Sequence, residues 1–165
     1  MTDLRDHDVL LVVGKSPERW DDVERFWELG IDHDVCCINH TGIIYPCPFK
    51  HWFSHHPAEL VEGMAPYNPG ARLHTTGPPM SGIKRWKIVG TKGSSSLLAA
   101  RCALHFWGYK RVVVAGVSLD GEYHKFFYNH WVQAMPEISG RVRSMSGHTM
   151  RLLGEPTVEW ATSTD

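Results

Sequence analysis

The sequence predicts a mixed α/β fold, a mostly parallel sheet held between two helical layers, and three observations carry that prediction. Unbroken apolar runs, VLLVV at 9–13 and VVVA at 112–115, are the pattern of strands buried on both faces. The first run ends in a glycine turn and leads into an amphipathic helix. The second is preceded by a glycine/serine loop, a helix and a short turn, which together make half of a βαβ unit.

Residues 90–120 are the stretch around which the rest is organised. Ser94, Ser95 and Ser96 offer caps to a helix whose first backbone N–H groups have no internal partner, and Leu97, Ala100, Leu104 and Trp107 recur on one face. Gly108 stands where a helix C-terminus favours a left-handed residue. A helix N-terminus preceded by small residues is a ready anion site, because free N–H groups and the helix dipole both favour phosphate or carboxylate.

From the N-terminus, the strand at 9–13 is followed by Gly14-Lys15-Ser16-Pro17 and then by Trp20, Val23, Phe26, Trp27 and a terminal Gly30. This opening is Rossmann-like. The GKS tripeptide is not a Walker loop, since that motif needs a glycine where Val9 stands. A second strand at 35–38 delivers Asn39 and His40, and Gly42, Pro46 and Pro48 break the segment after it. Trp52 and Phe53 predict a third strand with Ser54, His55 and His56 at its end, before a helix opened by Pro57. Ligands of open α/β sheets bind outside the carboxyl ends of the strands, so Ser16, Asn39, Ser54 and His55 are candidates by position, and the first turn brings Lys15 to the same edge.

Residues 63–87 read as an irregular connection with a strand near 72–75, and residues 86–89 as a short strand. A helix is predicted over 122–135, ended by Pro136, then a strand over 141–145 and a helix over 148–153 closed by Gly154. Residues 1–155 then form one nucleotide-binding domain of Rossmann-like, three-layer α/β/α type, and residues 156–165 a C-terminal tail.

Composition narrows the function classes. The net charge of -1 gives no electrostatic case for nucleic acid, and no apolar run approaches the span of a bilayer. With no basic region leading into an apolar segment at the N-terminus, a cytoplasmic protein is expected. The four cysteines show no CxxC spacing or paired framework, so reduced thiols are expected. His51 and His55 on a strand would lie about 13 Å apart, a spacing unsuited to zinc. No metal site is assigned. A serine hydrolase is disfavoured because the chain lacks a GxSxG elbow.

The central stretch resembles a motif of the bacterial sialyltransferases that use CMP-activated sugars, and of the related pterin diphosphokinase-like proteins. The residues that carry the resemblance are Ser94-Ser95-Ser96, then Trp107-Gly108-Tyr109-Lys110, then the strand running into Gly116. Where the family closes this strand with glycine, an apolar residue and aspartate, the chain has Gly116-Val117-Ser118. The resemblance implies a nucleotide or nucleotide-sugar ligand, with Gly14, Lys15 and Ser16 facing the nucleotide and Asn39 its sugar or phosphate. It implies a third-strand contact from Ser54 or His55, phosphate or carboxylate contacts from Ser95 and Ser96, and close backbone approach at Gly116. Tyr123 and Tyr128 would supply phenol hydroxyls. His148, or failing it His124, would take the proton from the acceptor hydroxyl. No separate cofactor is implied, and homo-oligomerisation stays open. The alternatives are a non-catalytic nucleotide-capture module and a diphosphotransferase.

Overall fold

A computed structural model describes residues 2–64, 70–90, 92–121 and 125–164. Seven parallel strands form one sheet in the order β5-β4-β3-β2-β1-β6-β7. They are β1 Val9–Val13, β2 His33–Ile38, β3 His51–Phe53, β4 Arg72–Thr75, β5 Lys84–Arg85, β6 Arg111–Ala115 and β7 Val142–Ser144. The helices are α1 Arg19–Glu28, α2 Thr41–Ile44, α3 Pro57–Glu59, α4 Ser95–Cys102, α5 Lys125–Ile138, α6 Gly147–Leu153 and α7 Val158–Thr162. Two π-helical segments, Leu60–Met64 and Ala103–Trp107, extend α3 and α4. The predicted α/β/α architecture is present.

Alternation along β1 explains why its residues are all apolar. Leu10 and Val12 face a core closed by α4, its π extension and α5, whereas Val9, Leu11 and Val13 face one closed by α1, Leu60 and α7. Both faces are covered, so no position on the strand is left for a polar side chain. Leu97, Ala100, Leu104 and Trp107 all lie in the first core, as their spacing predicts, and Gly108 closes the helix at φ 93°.

Several elements depart from expectation. Pro136 does not end α5. The helix runs on to Ile138 because Ile138 is fully buried and Ser139 N–H donates to Met135 O at 2.9 Å, re-forming the ladder beyond the proline. The strand expected at 86–89 is instead β5, Lys84–Arg85, since Trp86 turns its ring inward after one last bond to Thr75 O. The broken segment after Asn39 holds the short helix α2. Residues 156–165 are not all a tail: Thr157 Oγ1 caps α7, Ala161 is buried, and Trp160 lies against the Arg111 and Arg143 guanidiniums. Among the described residues no helix is long and apolar enough to cross a membrane.

Candidate functional site

The chain order reverses between β1 and β6. From β1 the strands proceed through β2 toward β5 on one side, while β6 and β7 lie on the other. Connections therefore leave β1 and β6 in opposite directions, and a crevice opens at their carboxyl ends. A cavity of about 500 Å³ lies there. Its walls come from the residues following four strands, together with the entrance to α4: Lys15 and Ser16 after β1, Asn39 after β2, His55 after β3, Gly116 after β6, and Ser94, Ser95 and Ser96.

The α4 end is the cavity's donor wall. Ser94 is the N-cap residue by position, but its hydroxyl makes no capping bond, contrary to expectation. The N–H groups of the first turn are thus left without a side-chain cap. Ser96 is only 7% exposed, lines the cavity and has no hydrogen-bond partner among the described residues, whereas Ser95 Oγ accepts from His55 N–H at 3.2 Å. Lys15 brings a cation from the β1 turn to the same space.

That turn is held by backbone geometry. Gly14 N–H donates to Ala115 O at 2.8 Å and Ser16 N–H to Gly116 O at 2.9 Å. A Cβ on Gly14 would stand 2.5 Å from Gly116 O, so only glycine fits between the two strand ends. Gly14 shapes the floor from below and does not line the cavity. Asp22, buried in α1, accepts from Gly116 N–H at 2.9 Å and from Ser146 Oγ at 2.6 Å, fixing Gly116 at φ 66°.

Asn39 also sits in a left-handed conformation, φ 49°, held by its N–H bond to Phe53 O and by Trp52 Nε1 donating to its carbonyl. Its side-chain Oδ1 is buried without a partner. Burial and then the neighbouring His56 lower the pKa of His55, and its Nδ1 lies 2.9 Å from Thr76 Oγ1. His40, His56, Glu59 and Phe127 also line the space, and the sequence reading assigned none of them a contact. Their only signal was proximity in sequence to predicted strand ends or to Tyr128.

Comparison with family models, curated proteins and solved structures finds no match. The cavity must be read from its own geometry.

Besides Gly14, three assigned residues stand outside the cavity walls. Ser54 is fully buried, and its hydroxyl closes a turn through His56 N–H and O, so it makes no wall. Tyr128 and His148 are not among the lining residues; their rings lie 5.9 Å apart between α5 and α6. Arg151 donates to His148 Nδ1 at 2.8 Å, and His148 Nε2 stands 3.5 Å from Asp120 Oδ1. Both ring nitrogens thus have neighbours. Tyr123 and His124 lie outside the described residues. Among the described residues no group of three or more histidines, cysteines or acids is arranged to hold a metal.

Proposed function

We propose that the cavity binds the phosphate end of a nucleotide and that the protein is a nucleotide-dependent transferase, a glycosyltransferase using a CMP-type sugar donor. The observation that carries the binding half is the convergence on one cavity of Lys15, the uncapped first turn of α4 and the partnerless, nearly buried Ser96 hydroxyl. A phosphate there would meet a cation, a helix dipole and a free hydroxyl at once. The volume, about 500 Å³, falls in the range of small-ligand sites. The transferase half rests on the motif resemblance at residues 94–96 and 107–116. In transfer, the donor wall would stabilise the charge of the departing phosphate, and a histidine would accept the proton of the attacking hydroxyl.

A nucleotide-capture module without turnover is the second reading. It is favoured by His148, whose ring is engaged by Arg151 and Asp120 away from the cavity walls. Calorimetric titration with CMP, CDP, UDP, ADP and GDP, with and without magnesium, tests the binding. Cytidine-selective binding weakened about 10- to 100-fold in Lys15→Ala or Ser96→Ala supports the proposal, that being the weight of a charge-assisted hydrogen bond. Absence of binding to all five refutes it. Given binding, His148→Ala abolishes turnover in an enzyme of this kind and leaves a capture module unchanged.

A further inference from the structure

On the face of the sheet covered by α4 and its π extension, five side chains far apart in sequence form a continuous hydrogen-bonded chain. Trp86 Nε1 lies 3.0 Å from His74 Nδ1, His74 Nε2 lies 2.9 Å from His51 Nδ1, His51 Nε2 lies 2.8 Å from Tyr109 Oη, and Tyr109 Oη lies 2.8 Å from Asp34 Oδ2. His51, His74 and Tyr109 are at most 2% exposed. Trp107 covers the pair, with ring centroids 4.7 Å from His51 and 4.3 Å from His74.

The two ends determine every proton between them. An indole N–H only donates, so His74 Nδ1 is bare and the neutral His74 ring carries its proton on Nε2. That proton goes to His51 Nδ1, which leaves the His51 proton on Nε2, directed at the Tyr109 oxygen. The Tyr109 hydroxyl then donates to Asp34. At Asp34, burial opposes ionisation, but the N–H groups of Asp6 and His7, the Tyr109 hydroxyl and the Lys50 ammonium together hold the carboxyl below its usual range. All four links run in one direction.

A second proton on either imidazole would put N–H against N–H: His74 Nδ1–H against Trp86, or His51 Nδ1–H against His74. The charges nearby add to the penalty. Lys50 and Arg72 flank the pair, Lys84 lies over Trp86, and the carboxylate of Asp34 is reached only through Tyr109; Asp6 and His7 meet Asp34 rather than the rings. Burial first, then Lys50 and Arg72, lower the pKa of His51 to about 3; burial first, then the charge of His51 and then Arg72, lower that of His74 to about 2.

We infer that this chain is an acid-sensitive latch that fastens β3, β4 and β5 to the middle of the sheet and, through them, holds the His55 wall of the cavity. The connection is short. Two residues beyond His74, Thr76 Oγ1 grips His55 Nδ1, and Arg85 on β5 donates to Gly77 O at 2.7 Å. The latch stands on its own hydrogen bonds; only its bearing on a bound ligand rests on the nucleotide-site reading.

Both histidines have folded pKa values below the ordinary 6.5, so the unfolded chain binds more protons. Their contribution to stability is complete above pH 6.5 and is lost as pH falls toward the folded values. From pH 7 to pH 5 the pair lowers the folding equilibrium constant roughly 600-fold.

Long-range proton–nitrogen NMR of the wild-type imidazoles, with urea titrations at pH 7 and pH 5, provides the test. Two neutral rings with bare Nδ1 and protonated Nε2, unchanged while the protein stays folded, together with the several-hundred-fold loss, support the latch. A ring protonated on Nδ1, or one titrating near pH 6.5 in the folded protein, overturns it. His74→Gln keeps both links, since its amide oxygen can accept from Trp86 and its N–H₂ can donate to His51. It should shrink the acid loss to roughly 25-fold, the share of one histidine, and an unchanged loss in a folded variant also overturns the latch. These readouts need no ligand, so they fail independently of the nucleotide proposal.

Discussion

Asp22 is the side chain on which the geometry behind the cavity most depends. It lies on α1, 1% exposed, and holds three groups at once: Gly116 N–H after β6, the Ser146 hydroxyl before α6, and the guanidinium of Arg25 on its own helix at 2.8 Å. Asp22→Ala removes the shared acceptor of two donors. Leaving these two donors, the buried Gly116 N–H and the half-buried Ser146 hydroxyl, without their acceptor costs about 1–3 kcal/mol each, while Arg25 is 45% exposed and recovers water, so the total comes to about 4 kcal/mol. Asp22→Asn keeps a carbonyl oxygen where Oδ2 accepts both bonds and turns its N–H₂ toward Arg25, which can swing outward; about 1–2 kcal/mol is expected. Urea titration at pH 7 measures both, and a thermal melt should show Asp22→Ala lower by about 12 °C, at roughly 3 °C per kcal/mol for a chain of this size. An alanine variant within about 1 kcal/mol of wild type would refute the reasoning. An asparagine variant as costly as alanine would also refute it, by showing that the charge and not the shared acceptor matters.

Two further predictions follow from the described geometry. Cys36, Cys37 and Cys102 are fully buried, and burial raises all three thiols well above their usual range, while Cys47 is exposed. An aromatic disulfide reagent at pH 8 should therefore titrate one thiol in the native protein and four after denaturation, and a second fast thiol would contradict the packing of β2. Gly147 sits at φ 68°, and a Cβ there would stand 2.5 Å from Ser118 O, the acceptor of His148 N–H. Gly147→Ala should cost about 2–3 kcal/mol in a urea titration, and an unchanged midpoint would show that the α6 entrance is free to shift.

Much of this fold was legible because its strands are buried on both faces and its helices on one. The β1 run, the α4 face and Gly108 each follow from a local pattern that the sheet obeys. What local pattern misses is the partner across space. Pro136 reads as a stop because the ring removes a donor, and the sequence does not reveal that Ser139 takes up the carbonyl of Met135. Residues beyond Glu155 read as a tail because they are few and polar. What anchors them is Trp160, seated between Arg111 and Arg143, two arginines 32 residues apart in the chain.

The same distinction divides the candidate site. Lys15, Asn39, His55 and Gly116 follow their strands directly, and a parallel sheet brings such positions to one edge whatever else the chain does. Ser54 satisfies the same positional rule and fails, because its hydroxyl finds His56 N–H before it finds the cavity. Position thus selects the neighbourhood, and local hydrogen bonding decides which members remain free. Ser95 and Ser96 show the rule from the other side. Both are adjacent on the first turn of α4, yet the oxygen of Ser95 accepts from His55 N–H and that of Ser96 has no such donor. A ligand that enters this cavity therefore meets Ser96 with its whole hydroxyl unspent and Ser95 with its oxygen already bound and only its O–H left to donate, so Ser96→Ala should weaken binding more than Ser95→Ala.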